Sequence, residues 1–121
     1  MANLEIVPAT ALHFEQVYGE KPSKTIRGYA GLVDGRAVSI GGVYYLNDQL
    51  VAFCNILPGY EYLKALHAKG CIKVLRMIKD MKVTVYAVAD KDKPQAEDFI
   101  MRCGFSYLRK GPNGEVFICK P

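Results

Sequence analysis

Three β-rich runs in succession, followed by one long amphipathic segment, constrain the fold of this chain more than any other feature. The runs cover residues 26–33, 37–46 and 50–57 and are rich in Val, Ile, Leu and Tyr. Asp34-Gly35 is a strong tight-hairpin signal between the first two runs, and residues 47–49 form a second turn signal. The pattern predicts an antiparallel meander. Because the third run is nearly all apolar, we expect its strand to be central and covered on both faces.

A long helix is predicted directly after the meander. Pro58-Gly59 ends the third strand, and the helix starts between Tyr60 and Leu63 and runs to about Met81. Its apolar and small residues recur at helical spacing; they include Leu63, Leu66, Gly70, Val74 and Ile78. Residues 83–89 then form an uncharged strand. Because the helix makes a crossover connection, strands 50–57 and 83–89 should be parallel.

The remaining elements complete a mixed α/β sheet. In chain order they are a strand at residues 4–7, a helix at 11–18, a helix that Pro94 opens and Gly104 caps, and strands at 105–108 and 115–119 around a hairpin signal at 111–114. The order β-α-β-β-β-α-β-α-β-β predicts about six or seven strands with helices on both faces. We expect one domain over residues 1–121.

Composition predicts a soluble, cytoplasmic protein. Half of the 121 residues are hydrophobic and 23% are charged, which is ordinary for a globular domain. The N-terminus has no basic segment leading into an apolar run, and no stretch approaches the roughly 20 apolar residues of a membrane span. We therefore expect no membrane partner.

The cysteines predict a reduced protein without a metal site. The four cysteines are Cys54, Cys71, Cys103 and Cys119, and they form no C-x-x-C pair. Each lies in an apolar segment, so we expect buried thiols that act as small hydrophobes. The two histidines do not cluster with them in sequence. His67 is interpreted as a helix-surface histidine.

The charge is mildly basic and unevenly placed. The net charge is +4, and six basic residues fall in one stretch of 19 residues along and just after the long predicted helix, where they are opposed only by Asp80. These six are Lys64, Lys69, Lys73, Arg76, Lys79 and Lys82. We expect a solvated helix face, with nucleic-acid binding as the lesser alternative.

Residues 90–105 carry a resemblance to a known family. They read Asp-Lys-Asp-Lys-Pro-Gln-Ala-Glu-Asp-Phe-Ile-Met-Arg-Cys-Gly-Phe. Ala96, Gly104 and Phe105 fit the spacing of a motif along the last helix of the GNAT N-acetyltransferases. The element order resembles that family over essentially the whole chain. Its small size is similar to that of the short members carried by bacteriophages and prophages.

The resemblance implies a fold, a cofactor and a set of site residues. In the family the two central parallel strands splay apart, and acetyl-CoA lies in the gap while an amine attacks its thioester directly. By this resemblance, the residues expected to bind acetyl-CoA are Asn55, Ile56, Leu57, Leu63, Lys64, Ala89, Asp90 and Lys93. Those expected to act in catalysis are Asn55, Tyr60 and Tyr62.

Three positions depart from the family pattern. The family's pyrophosphate loop reads Arg/Gln-x-x-Gly-x-Gly/Ala, but residues 60–66 contain no glycine. Ile100 stands where the family often has a tyrosine that acts as the general acid. Strand 50–57 lacks the glutamate that often acts as the general base in the family. Two functions therefore stay open. One is an acetyl-CoA-dependent N-acetyltransferase for an unidentified amine. The other is a catalytically degenerate GNAT-fold protein of phage origin that acts as a structural or host-protein-binding module, with a protein partner or a second copy.

Each candidate side chain also has a purely structural interpretation. Asn55 could cap a strand end or a sheet edge, and Tyr60 or Tyr62 could be a core residue with its hydroxyl in water. Asp90 could cap the following helix. Glu61 is interpreted as a charge at the start of the long helix.

Overall fold

The fold contains the ten predicted elements in the predicted order. The computed structural model describes residues 2–90, 92 and 96–121. The elements are β1 (Leu4–Pro8), α1 (Ala11–Tyr18), β2 (Ile26–Val33), β3 (Arg36–Leu46), β4 (Gln49–Ile56), α2 (Lys64–Met81), β5 (Val85–Val88), α3 (Ala96–Arg102), β6 (Ser106–Gly111) and β7 (Gly114–Cys119). Pro94, predicted to open the third helix, lies outside the described residues.

A single seven-stranded sheet runs through the molecule in the order β1-β2-β3-β4-β5-β7-β6. The β4–β5 pair is parallel and every other neighbouring pair is antiparallel. The predicted meander and the predicted crossover are therefore both confirmed. The last hairpin inserts β7 between β5 and β6, so β5 has a full antiparallel partner on the side away from β4.

One face of the sheet is covered by α1. Thr10 opens this helix with a capping box, in which its Oγ1 accepts from the His13 amide at 3.3 Å and its own amide donates to His13 Nδ1 at 3.1 Å. Val17 and Phe14 of α1 pack against apolar residues of β2, β3 and β4. This packing places the C-terminal end of α1 over Phe53 in β4.

The opposite face is covered by α2 and α3. Met77 and Ile78 of α2 are buried in a core with Val85 and Phe117 of the sheet, and Ile100 of α3 packs against the same core. The two crossovers β4-α2-β5 and β5-α3-β6 advance in the same direction across the sheet. Right-handed connections are the rule for such crossovers, and two of them that advance in one direction place both helices on one face. The prediction of helices on both faces is confirmed.

Some boundaries and burial states differ from the sequence expectations. β5 is shorter than the predicted 83–89, and β6 begins and ends later than the predicted 105–108. The expectation that the cysteines are buried is wrong, because Cys54 is exposed and the other three are half-buried. The exposed thiol lies on the part of β4 that no longer pairs with β5. No helix within the described residues is both long enough and apolar enough to cross a bilayer.

Two glycines in different settings give a test of this packing. Gly70 lies inside α2, and a Cβ built there meets no atom within 4 Å, so Gly70→Ala should stabilise the protein by about 0.5–1 kcal/mol. Gly28 lies opposite Gly42 in the β2–β3 ladder, and a Cβ there would come within 2.6 Å of the Gly42 Cα. Gly28→Ala should therefore destabilise by about 1–3 kcal/mol. Urea unfolding of both variants measures the two changes, and equal shifts of one sign would contradict the packing.

Candidate functional site

The sheet opens between β4 and β5. Only two residues of β5, Val85 and Tyr86, pair with β4. Beyond them β4 keeps its partners in β3 as far as Ile56, and β5 keeps its partners in β7 as far as Val88. Each strand therefore stays bonded to its outer neighbour while the two strands separate from each other. This confirms the predicted splaying of the central parallel pair.

The main chain of β4 presents donors to this gap. The Leu57 amide donates to the Val38 carbonyl of the strand on the other side, at 2.8 Å. Because main-chain groups alternate in direction along a strand, the amides of Ile56 and Cys54 face the β5 side. The Ile56 amide is held there by Asn55, whose Oδ1 accepts from it at 3.0 Å. The side chain of the predicted site residue Asn55 thus binds a main-chain amide on the edge of β4 that faces the gap.

The end of β5 forms the other side of the gap. The Ala89 amide donates to the Glu115 carbonyl next to β7, at 2.9 Å. By the same alternation, the main chain of Val88 faces β4. The predicted site residue Ala89 is buried in the core of the α2 face, so its side chain packs rather than lining a surface.

Two turns connect β4 to α2 and carry Tyr60 and Leu63. The Tyr60 amide donates to the Leu57 carbonyl at 3.1 Å, and the Leu63 amide donates to the Tyr60 carbonyl at 3.3 Å. His67 Nε2 lies 2.7 Å from that same carbonyl, so this nitrogen carries the proton. The interpretation of His67 as a helix-surface residue is therefore wrong, because the side chain folds back to hold the turn. Its Nδ1 is buried and has no hydrogen-bond partner among the described residues.

The loop before α2 already holds a negative charge. Gly59 has a φ of +95°, and its amide donates to Glu61 Oε2 at 2.8 Å. Glu61 was expected as a charge at the start of the helix, but its carboxylate binds this turn instead. The first turn of α2 contains no acidic residue, and Lys64, its first residue, is exposed. The N-terminus of α2 is therefore the positive end of the helix dipole, and the loop just before it carries the Glu61 carboxylate.

Of the three remaining candidates, two are exposed and one lies outside the described residues. Tyr62 is 71% exposed. Asp90 is exposed, and its Oδ1 accepts from the Asp92 amide at 2.9 Å, which closes a local turn rather than capping α3. Lys93 lies outside the described residues.

Ile100 occupies a hydrophobic position. Its side chain packs against the core of the α2 face, and its carbonyl accepts from the Cys103 amide at 3.2 Å and the Phe105 amide at 3.3 Å. An aliphatic side chain at this position can pack against the core but cannot donate a proton.

A tyrosine that the sequence analysis did not select lies near the splayed part of β4. Tyr18, the last residue of α1, stacks on Phe14 at 4.3 Å between ring centroids and lies 6.3 Å from the Phe53 ring. Burial, followed by the neighbouring Cys54 and Tyr44, raises the pKa of its phenol to about 12. Tyr18 as a whole residue is 37% exposed. The only sequence signal was its position four residues after Phe14 on one helix face.

The Cys54 thiol also affects two other titratable groups. After larger causes, it contributes to the raised pKa of Tyr18 and to the raised pKa of Cys103. No group of three or more His, Cys, Asp and Glu side chains within the described residues is arranged to hold a metal ion.

Comparison with known proteins finds the same fold at very low sequence identity. No family model and no curated protein matches this sequence. A candidate GNAT-family acetyltransferase from Desulfovibrio desulfuricans is 9% identical, with a TM-score of 0.69 over 98% of this chain and 99% of that one. The ribosomal-protein-S18-alanine N-acetyltransferase from Escherichia coli is 10% identical, with a TM-score of 0.64 over 96% and 91%. The chain therefore has the fold of the GNAT acetyltransferases.

Proposed function

We propose that this protein is an acetyl-CoA-dependent N-acetyltransferase that acts on an unidentified amine. The observation that carries the proposal is the opening between β4 and β5, where the main chains of both strands face a gap. A gap of this kind accepts an extended ligand as an additional strand, because amides and carbonyls stay directed toward it. The fold shared with known acetyltransferases supports the same assignment.

The residues around the gap suit an acyl-thioester ligand with a long polar arm. Bound acetyl-CoA supplies a thioester carbonyl that a neutral amine can attack. The main chains of Ile56 and Val88 would bind the arm, and Leu57 and Leu63, both half-buried, would contact its less polar parts. Asn55 would have to release the Ile56 amide, which its Oδ1 now holds. Lys64 and the start of α2 would face the phosphates.

Tyr18 is the strongest candidate for the proton donor. Its phenol stays protonated across the physiological range because its pKa is about 12, and its ring lies 6.3 Å from the Phe53 ring on the splayed part of β4. A protonated hydroxyl at this position can donate to a leaving thiolate. Tyr60 and Tyr62 remain alternative donors from the turns before α2. Strand β4 contains no carboxylate, so the acceptor amine would lose its proton to water or to a group outside β4.

One observation favours the alternative of a non-catalytic binding module. The Gly59 amide, which a phosphate-binding loop would direct at its ligand, is already bonded to Glu61. The Glu61 bond disfavours phosphate binding, and the hydrophobic Ile100 cannot donate a proton to the leaving thiolate. An acetyltransferase needs both functions. A module of this kind would bind a protein partner or a second copy without transferring acetyl groups.

A bulky side chain at the gap should weaken ligand binding. Cys54→Trp places a large side chain on the splayed part of β4, and Leu12→Trp places the same side chain at an exposed position of α1 as a matched control. Overpacking of about 1–3 kcal/mol should weaken acetyl-CoA binding by about tenfold or more in Cys54→Trp alone. Isothermal titration calorimetry measures the affinities, and circular dichroism confirms that both variants fold. Absence of binding to the unaltered protein would sink the enzyme proposal and leave the binding module.

Single Tyr→Phe changes should identify the proton donor. Tyr18→Phe should lower kcat by about 10²-fold or more with a small change in KM, because it removes the hydroxyl that protonates the thiolate. Tyr45→Phe is the control, since Tyr45 is 63% exposed on β3. Spectrophotometric titration should lose one phenol with a pKa near 12 in Tyr18→Phe. If Tyr60→Phe or Tyr62→Phe shows the large loss instead, the role of Tyr18 is refuted.

Removal of the carboxylate before α2 should strengthen cofactor binding. Glu61→Gln keeps an oxygen that can accept from the Gly59 amide but removes the charge that repels phosphates. We expect acetyl-CoA affinity to rise by about threefold to tenfold, more at low salt than at high salt. Glu15→Gln, at an exposed position of α1, is the control. Unchanged affinity at low salt would show that the phosphates bind elsewhere.

A further inference from the structure

Two half-buried thiols meet between α2 and the end of α3. Cys71 Sγ lies 3.5 Å from Cys103 Sγ, although the residues are 32 positions apart in the chain. The remaining cysteines, Cys54 and Cys119, are not part of this contact. A disulfide requires sulfurs about 2.05 Å apart, so the pair needs an approach of about 1.5 Å to become bonded.

The backbone holds both sulfurs in place. Cys71 lies within the continuous helix α2. The Cys103 amide donates to the Phe99 carbonyl at 3.1 Å, and Gly104 turns the chain directly afterwards with a φ of +95°. The Cys103 side chain also packs against the core of the α2 face. The short sulfur–sulfur distance therefore follows from how α2 and α3 cross, and not from a mobile loop.

The contact also makes the two thiols chemically unequal. A hydrogen bond from the Cys103 thiol lowers the pKa of Cys71 to about 7. The same bond, with burial, raises the pKa of Cys103. Near neutral pH a large share of Cys71 is therefore thiolate, which is the nucleophilic form, and its partner thiol lies within contact distance.

We propose that Cys71 and Cys103 are a redox modification site, a vicinal dithiol that hydrogen peroxide oxidises to a disulfide joining α2 to α3. The inference does not depend on the acetyltransferase proposal, because it rests on the position of two sulfurs. A low-pKa thiol beside a second thiol is the arrangement in which sulfenic acid is converted to a disulfide before further oxidation.

The reaction balances with peroxide as the only oxidant. The Cys71 thiolate attacks one peroxide oxygen, the O–O bond breaks, and the released hydroxide takes up a proton to give water, leaving Cys71 as a sulfenic acid. The Cys103 sulfur, as it loses its proton, then attacks the Cys71 sulfur. The S–O bond breaks and the oxygen leaves as a second water. Two thiols and one peroxide thus give one disulfide and two waters, and an added dithiol reverses the change by thiol–disulfide exchange.

The bond would join the two helices whose preceding strands border the gap. α2 follows β4 and α3 follows β5, so the disulfide would fix the spacing between the two crossovers. Oxidation would therefore reduce the freedom of β4 and β5 to separate.

Peptide mapping after peroxide treatment tests the site directly. The reduced protein is treated with hydrogen peroxide, the remaining thiols are alkylated, and the protein is digested with trypsin without reductant. Lys73, Arg76 and Arg102 lie between the two cysteines, so the two peptides stay together only through a disulfide. We expect the intact protein to lose two hydrogen atoms and the map to contain a Cys71–Cys103 pair. The double variant Cys54→Ala, Cys119→Ala should behave in the same way.

The single variants distinguish this pair from unspecific oxidation. Cys71→Ala and Cys103→Ala should form no intramolecular disulfide and should instead gain oxygen atoms at the remaining thiol. The proposal is overturned if the treated protein keeps Cys71 and Cys103 free or only adds oxygen to them. It is also overturned if Cys54 or Cys119 forms the main disulfide.

The pH dependence of alkylation tests the contact without peroxide. The iodoacetamide rate at Cys71, followed by mass spectrometry, should rise with a midpoint near pH 7 in the unaltered protein. In Cys103→Ala the donor is lost, so the midpoint should move up toward the ordinary thiol value of 9.0. Equal midpoints in the two proteins would show that the thiols do not interact.

Discussion

The short pairing between β4 and β5 is the constraint on which the rest of this structure depends. The two strands share two register positions and then separate, while β3 and β7 hold their outer edges. α2 contacts β1, β2 and β3, and its residues Met77 and Ile78 share a hydrophobic core with Val85 of β5. Hydrophobic burial on both faces of the sheet stabilises this arrangement, and the core of the α2 face contains residues of both β4 and β5.

The consequences of this opening are chemical as well as geometric. Main-chain groups that would otherwise complete a ladder are directed at a gap, and Asn55 already binds one of them. Cys54 is exposed at the same place. Two residues disfavour the binding and turnover of acetyl-CoA. Glu61 adds negative charge before α2, and Ile100 is an aliphatic side chain at the position where the family resemblance leads us to expect a proton donor. Under the proposed function, cofactor affinity and turnover would therefore depend on different residues.

The sequence predicted the frame of the fold but few of its contacts. Turn signals, helical spacing and the crossover rule were enough for the element order and for a parallel central pair. They could not show that Tyr18 reaches the splayed strand, that His67 folds back to the Tyr60 carbonyl, or that Cys71 meets Cys103. The contacts of Tyr18 and of the two cysteines depend on how helices pack on the sheet and on each other, and the contact of His67 depends on the path of the preceding turn; period and composition specify neither. Local side-chain bonds, such as that of Glu61 to Gly59, also compete with the caps that a pattern suggests.

Cross-strand nuclear Overhauser effects across the centre of the sheet test the splaying most directly. We expect contacts between the main chains of β4 and β5 at Leu50 and Val51 with Val85 and Tyr86. We expect none between residues 53–56 and residues 87–88, while residues 53–56 keep strong contacts to β3 and residues 87–88 keep strong contacts to β7. A continuous series of cross-strand contacts from Leu50 to Ile56 would mean that the sheet is closed, and it would contradict the account.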